Sequence, residues 1–106
     1  MPIWRTAPVE EQPHLTLVRW RVIETEQGER HFCGYCPENL EGRVSSRITH
    51  FDHATRRGIT RSGRVYELVG EPGLDLDAEY VLNFWLSRNG VETWTDVTDT
   101  IVNTSS

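Results

Sequence analysis

The chain has 106 residues, of which 37% are hydrophobic, and its formal net charge is −5. This length suits one domain with a single core and is too short for two self-supporting domains. No apolar run approaches the roughly 20 residues that span a bilayer, and the first residues lack the basic start and apolar stretch of a signal peptide. These features predict one cytoplasmic domain and no membrane partner.

Charge is distributed unevenly along the chain, and all eleven basic side chains are arginine. Residues 1–42 carry four arginines and seven acids, residues 43–64 carry six arginines and one acid, and residues 65–106 carry one arginine and eight acids. The net charges of the three segments are therefore −3, +5 and −7. The arginine-rich middle segment is the strongest indication of a binding surface.

The first half of the chain predicts a flexible arm followed by a β-hairpin. Residues 1–14 contain three prolines and no periodic pattern, which is typical of an extended or flexible N-terminal arm. The stretch from Thr16 to Glu24 alternates with the two-residue period of a half-buried strand. Aromatic and small residues from Arg30 to Cys36 predict a second strand, which pairs with the first across a turn at Gln27-Gly28.

Two further strands are predicted in the arginine-rich region. Residues 43–50 alternate in the same way, and the stretch from Ile59 to Val69 predicts a fourth strand with an interruption at Ser62-Gly63 that suggests a bulge. The turn between them runs from Asp52 to Gly58, with Gly58 expected to have a positive φ.

One helix is predicted after these strands. Asp75 or Asp77 offers an N-cap oxygen, and Asn89-Gly90 provides a C-terminal stop. The expected core-facing side chains are Ala78, Val81, Leu82 and Trp85.

The predicted elements combine into a single α+β domain over residues 15–102. Its expected architecture is a four-stranded antiparallel β-meander with one C-terminal helix packed on one face, because a sheet with one apolar face must cover it. Residues 91–102 suggest an additional short strand, and residues 103–106 a frayed C-terminus.

The six arginines of the middle segment would decorate one hairpin if the third and fourth strands pair. They are Arg43, Arg47, Arg56, Arg57, Arg61 and Arg64. Such a ribbon would bind nucleic-acid phosphates with salt-sensitive affinity, or an acidic protein surface. The alternative is that the arginines are solvated and pair with neighbouring acids. Arg61 and Arg64 share a face only if Gly63 forms a bulge.

A zinc site is the specific alternative that the cysteines and histidines raise. Cys33, Cys36, His50 and His53 form the pattern C-x2-C-x13-H-x2-H. Two thiolates and two imidazoles suit tetrahedral zinc, although zinc fingers usually separate their histidines by about three to five residues. The alternative is two buried cysteines near a strand end and two turn histidines. No other cofactor is predicted.

The sequence contains no recognisable catalytic motif: it has no nucleophile motif, no glycine-rich phosphate loop and no paired carboxylates. A thioredoxin-like role for Cys33 and Cys36 requires a helix after the first cysteine, whereas Pro37 and a turn follow. The chain is therefore expected not to be an enzyme.

Four short sequence segments resemble segments of known proteins. They are Gly42-Arg43-Val44-Ser45-Ser46, Thr60-Arg61-Ser62-Gly63-Arg64-Val65-Tyr66, Gly70-Glu71-Pro72-Gly73 and Asp77-Ala78-Glu79-Tyr80-Val81. Over about residues 18–98 the chain resembles small uncharacterised proteins of proteobacterial plasmids, integrative elements and phages. The resemblance implies an accessory protein of a mobile element, for example a host-defence inhibitor such as an anti-CRISPR or antirestriction protein, that acts as a stoichiometric binder.

The expected function is therefore non-catalytic docking on a protein or nucleoprotein partner. The alternative is nucleic-acid binding through the arginine-rich β-hairpin, with or without zinc.

Overall fold

The computed structural model describes residues 9–102, and the domain in this range is of the α+β class. The elements in chain order are β1 (His14–Thr25), β2 (Arg30–Cys36), β3 (Glu41–Val44), β4 (Ile48–Asp52), β5 (Arg57–Thr60), β6 (Val65–Leu68), α1 (Leu76–Arg88), β7 (Trp94–Asp96) and α2 (Thr98–Val102). Most of the predicted N-terminal arm, and residues 103–106, lie outside the described residues. Neither helix in the described range has the length and apolar character needed to cross a membrane.

A seven-stranded mixed sheet organises the domain. Its strand order is β3-β2-β1-β6-β5-β4, and β7 pairs with the C-terminal end of β1. β1 and β6 are parallel, in register from the His14–Val65 pair to the Leu17–Leu68 pair, and the other pairs are antiparallel. The predicted four-stranded antiparallel meander is therefore wrong, because β1 pairs with a distant strand and two predicted strands are each divided.

β1 reaches both halves of the sheet because it contains a bulge. The register with β2 shifts between Val18 and Arg21, and Arg19 has a φ of 45°. The bulge changes the parity of the alternation, so that Leu17 before it and Trp20 after it enter the same core cluster. The predicted β1–β2 hairpin is confirmed.

The predicted third strand is divided at Ser45. The Ser45 hydroxyl accepts a hydrogen bond from the Phe32 backbone N–H (2.9 Å) and donates one to the Ser46 carbonyl (2.7 Å). The Ser45 backbone N–H still donates to the Phe32 carbonyl at 2.9 Å, but the return bond of the ladder goes to the serine side chain, which can compete with backbone pairing. The chain leaves β2 at this point and continues as β4 on the far side of the sheet.

The predicted fourth strand is divided by a turn between Thr60 and Arg64. Gly63, whose φ is 92°, donates its backbone N–H to the Thr60 carbonyl at 2.8 Å. Gly63 therefore lies in a turn and not in a bulge. In the preceding turn, Arg56 and not Gly58 adopts the positive φ, at 59°. Gly58 lies in β5, where a Cβ atom would be 2.7 Å from Phe32 Cε2 and even closer to Phe32 Cζ.

The core consists of two clusters. The larger cluster is built from β1, β2, β6 and α2 and contains Leu15, Leu17, Trp20, Val22, Phe32, Cys36, Tyr66, Leu68 and Ile101. The second lies beneath α1 and contains Ile23, Cys33, Ala78, Leu82 and Leu86. The β1–β2 hairpin is therefore covered by apolar side chains on both faces.

The predicted helix is confirmed as α1. Asp75 caps its N-terminus by accepting a hydrogen bond from the Ala78 N–H at 3.0 Å, and Asn89 is the C-cap. Gly90 follows with a φ of 66°. α1 packs so closely on β3 that a Cβ atom on Gly42 would lie 2.5 Å from the Ala78 nitrogen.

Candidate functional site

Two of the six predicted binding arginines are buried and bonded within the domain. Arg43 Nε donates to the Tyr66 hydroxyl at 2.8 Å, and Arg43 Nη1 lies 3.4 Å from a Glu41 carboxylate oxygen. Arg64 Nε donates to the Gln12 carbonyl at 2.8 Å. These two guanidinium groups satisfy buried polar atoms, so they are not available on a partner-binding surface.

The other four arginines are half-buried or exposed. Arg56 stacks on Trp20, with its guanidinium carbon 5.5 Å from the ring centroid. Arg47 and Arg57 are exposed and lie 3.9 and 3.8 Å from the carboxylates of Glu29 and Glu67, respectively. Exposed Arg61 forms no ion pair within residues 9–102. The hairpin that carries the segment is β4–β5, and it does not gather the six arginines on one face.

The four predicted zinc ligands are not brought together either. Cys33 and Cys36 are three residues apart on β2, so their side chains point to opposite faces and enter different core clusters. Burial raises the pKa of the Cys33 thiol to about 11. His50 is exposed in the middle of β4, and His53 is exposed in the turn that follows it. Residues 9–102 contain no cluster of three or more potential metal ligands.

A cleft of about 290 Å³ opens between the β1–β2 hairpin and the C-terminal end of α1. Its lining includes Glu29, His31, Arg47, Arg61, Trp85 and Val91. Arg47 and Arg61 enter the cleft from adjacent backbone positions, because the Arg61 N–H donates to the Arg47 carbonyl at 2.8 Å. The cleft thus collects two guanidinium groups, one carboxylate, one imidazole and an indole ring.

His31 is the buried polar residue of this cleft, with 4% of its surface exposed. Its Nδ1 lies 2.9 Å from the Ser45 carbonyl, and a carbonyl can only accept, so Nδ1 carries the hydrogen and Nε2 is an acceptor. Nε2 has no hydrogen-bond partner in the described part of the chain, and the nearest Glu29 carboxylate oxygen is 3.9 Å away. Burial lowers the pKa of His31, which keeps the ring neutral.

A second surface lies on the outer face of α1. Leu76, Tyr80 and Phe84 follow one another at four-residue intervals and are 80%, 62% and 46% exposed. Exposed Leu40, at the β2–β3 turn, faces Tyr80 across a shallow groove of about 220 Å³ that also borders Asp77. We call the four apolar residues Leu40, Leu76, Tyr80 and Phe84 the α1 patch.

Neither the cleft nor the α1 patch was predicted from the sequence. The four-residue spacing of Leu76, Tyr80 and Phe84 was a usable signal for the patch, because positions i, i+4 and i+8 share one side of a helix. The cleft offered no such signal, because Glu29, Arg47 and Trp85 come together only in the folded chain. Comparison of the chain with protein-family models, with curated proteins and with solved structures finds no match.

Proposed function

We propose that the protein is a non-catalytic binding protein that docks on a protein or nucleoprotein partner through the α1 patch. The observation that carries this proposal is the exposed row Leu76, Tyr80 and Phe84. A surface helix normally keeps its apolar residues on the core side, whereas α1 also has apolar residues on its outer side. Contiguous exposed apolar surface is a feature of interaction sites, and aromatic residues often dominate their binding energy.

The surroundings of the α1 patch define the chemistry of the partner. Asp77 is exposed beside Leu76, and Glu38 and Glu41 flank Leu40 in the β2–β3 turn. Residues 65–87 carry five acids and no arginine. Asp75 and Glu79 pair with Arg19 and Arg21, and the Arg88 guanidinium carbon lies 5.5 Å from the Phe84 ring centroid. A complementary partner therefore presents an apolar recess with basic side chains opposite the exposed acids Asp77 and Glu38.

Basic surfaces of this kind are common on proteins that handle nucleic acids. Docking on such a surface agrees with a role as an accessory protein of a mobile element, for example as an inhibitor of a host-defence complex such as an anti-CRISPR. The role in a mobile element rests on the resemblance of the four short sequence segments. The binding mode rests on the α1 patch alone and is tested separately.

Direct nucleic-acid binding is the competing function, and the charge arrangement disfavours it. Nucleic-acid affinity depends on several arginines or lysines that contact phosphates together. Arg43 and Arg64 are buried, and Arg47 and Arg57 lie close to carboxylates. The net charge of −5 adds long-range repulsion.

The test compares two apolar-to-serine substitutions at positions of similar exposure. Phe84→Ser changes the α1 patch, and Ile59→Ser is the matched control, because Ile59 is 42% exposed on a different part of the domain. The partner is captured from a lysate of the organism that encodes the chain, then purified and titrated against each variant by calorimetry. We expect Phe84→Ser to weaken binding by about 30-fold, as at an aromatic hot spot, and Ile59→Ser to leave it unchanged.

Three results would contradict the proposal. The first is equal affinity of the wild-type protein and the Phe84→Ser variant for the purified partner. The second is binding of labelled duplex DNA or RNA at low salt that Arg61→Gln reduces, which would favour the nucleic-acid function. The third is concentration-dependent dimerisation that Phe84→Ser abolishes, which would make the α1 patch a contact between two copies of the chain.

A further inference from the structure

The cleft at the C-terminal end of α1 is chemically distinct from the α1 patch. We infer that it binds a free α-amino acid, that is, a small zwitterion with a primary ammonium group and a carboxylate. The inference stands on the unpartnered Nε2 of His31, the carboxylate that faces it and the two arginines that line the same cavity.

The ammonium end of the ligand is defined by two acceptors that face each other. His31 Nε2 and the Glu29 carboxylate oxygen are 3.9 Å apart, which is too far for a hydrogen bond. A buried acceptor without a donor is unfavourable. A primary ammonium group has three donors and a positive charge, so it can satisfy both acceptors and neutralise the carboxylate. Less than 1 Å² of Nε2 is accessible, so the Glu29 side chain, which is 40% exposed, must rotate for the ammonium group to enter between the two acceptors.

The carboxylate end of the ligand is defined by the arginines. Arg61 lines the cleft and has no ion-pair partner in residues 9–102, while Arg47 Nη1 lies 3.9 Å from the second carboxylate oxygen of Glu29. A guanidinium group presents paired donors that match the two oxygens of a carboxylate. If the ligand ammonium draws the Glu29 carboxylate towards itself, Arg47 becomes available to the ligand carboxylate as well.

The remaining walls suit an amino-acid side chain. Trp85 and Val91 give the cleft an apolar side, and the Trp85 ring contacts His31 edge-on with the ring centroids 4.5 Å apart. The volume of about 290 Å³ is just below the usual range for ligand sites, roughly 300–1,000 Å³. This size favours a single amino acid over a nucleotide or a peptide.

Ligands with only one type of charge fit the cleft less well. A simple anion would approach the arginines but would also face the Glu29 carboxylate and leave His31 Nε2 without a donor. A simple cation would contact Glu29 but would be repelled by Arg47 and Arg61. The combination of two acceptors and two cationic groups therefore selects a zwitterion.

The ligand half of the test uses three probes of similar size. L-leucine carries both charged groups, N-acetyl-L-leucine lacks the ammonium group, and L-leucinamide lacks the carboxylate. Each is titrated into the full-length chain and followed by calorimetry and by the ring ¹⁵N chemical shifts of His31. We expect saturable binding of L-leucine with a shift at Nε2, and affinities at least about tenfold weaker for the other two probes.

The protein half of the test uses substitutions at exposed or half-buried positions, which leave the core intact. Glu29→Gln and Arg61→Gln are each expected to weaken L-leucine binding about tenfold, whereas Arg57→Gln, an exposed arginine that does not line the cleft, is expected to have no effect. Equal binding of L-leucine and N-acetyl-L-leucine would overturn the inference, because it would show simple anion binding. Absence of any saturable response to L-leucine up to about 10 mM, well above the 1 mM affinity of a weak complex, would also overturn it.

Discussion

The close contact between β3 and α1 predicts that Gly42→Ala strongly destabilises the domain. The new Cβ atom would lie 2.5 Å from the Ala78 nitrogen and would also contact the Asp77 carbonyl group. Non-bonded atoms normally approach to about 3.5 Å, so the first turn of α1 must move by roughly 1 Å. The opposing atoms belong to a helix backbone and cannot rotate away, which places the cost near the upper end of the overpacking range, at about 3 kcal/mol.

The assay is urea unfolding followed by tryptophan fluorescence, with Gly63→Ala as the control. Gly63 has a φ of 92° and open space around its Cα, so alanine there should cost only the strain of a left-handed backbone, about 1–2 kcal/mol. A typical domain has a total stability of about 5–15 kcal/mol, so both changes are measurable. A loss of less than about 1 kcal/mol for Gly42→Ala would refute the argument, because it would show that α1 is free to adjust.

Two further predictions follow from the buried arginine and the buried histidine. Arg43→Ala should destabilise the domain by about 3 kcal/mol in urea unfolding, because it leaves buried polar groups without a donor, whereas Arg57→Ala on the surface should change stability by less than about 1 kcal/mol. Equal losses would contradict this assignment. Burial lowers the pKa of His31, against the opposing effects of the hydrogen bond to the Ser45 carbonyl and of Glu29, so the unfolded chain binds its proton more tightly. Stability should therefore fall as the pH drops below about 6.5, by at most about 1.4 kcal/mol per pH unit, until the pH reaches the lowered pKa. The same pH series with His31→Gln should lack this component, and an unchanged slope would assign it to other groups.

Local patterns predicted the elements that are stabilised locally. β2 was predicted with its observed bounds, and α1 was predicted from its N-cap aspartate and its C-terminal Asn89-Gly90. Both depend on signals within a few residues of the element, namely alternation, capping and turn residues. The β1–β2 hairpin is also local, because its turn is short.

The sheet topology could not be predicted in the same way. The break at Ser45 contains neither glycine nor proline, and its cause is a hydrogen bond from Phe32, 13 residues earlier. The parallel pairing of β1 with β6 brings His14 next to Val65. No residue pattern within either strand indicates this pairing. Alternation describes which side chains share a face, but it does not specify the neighbouring strand.

The arginine-rich segment shows the same limit at the level of side chains. Its positive charge was evident from the sequence, but the burial of Arg43 depends on the hydroxyl of Tyr66, 23 residues away. Arg61 and Arg64 differ in exposure because the turn at Gly63 points one outward and the other toward the Gln12 carbonyl. The charge composition therefore predicted that all six arginines form a surface, whereas the fold buries two of them.

The position of α1 connects the two proposed binding surfaces. The α1 patch uses Leu76, Tyr80 and Phe84 on the outer side of the helix, and the cleft uses Trp85 near its C-terminal end. Both surfaces require α1 to be seated on β3 at Gly42, where no side chain fits. Surface substitutions such as Phe84→Ser or Arg61→Gln should therefore affect one binding activity each. Gly42→Ala should weaken both together, because it displaces the helix that carries them.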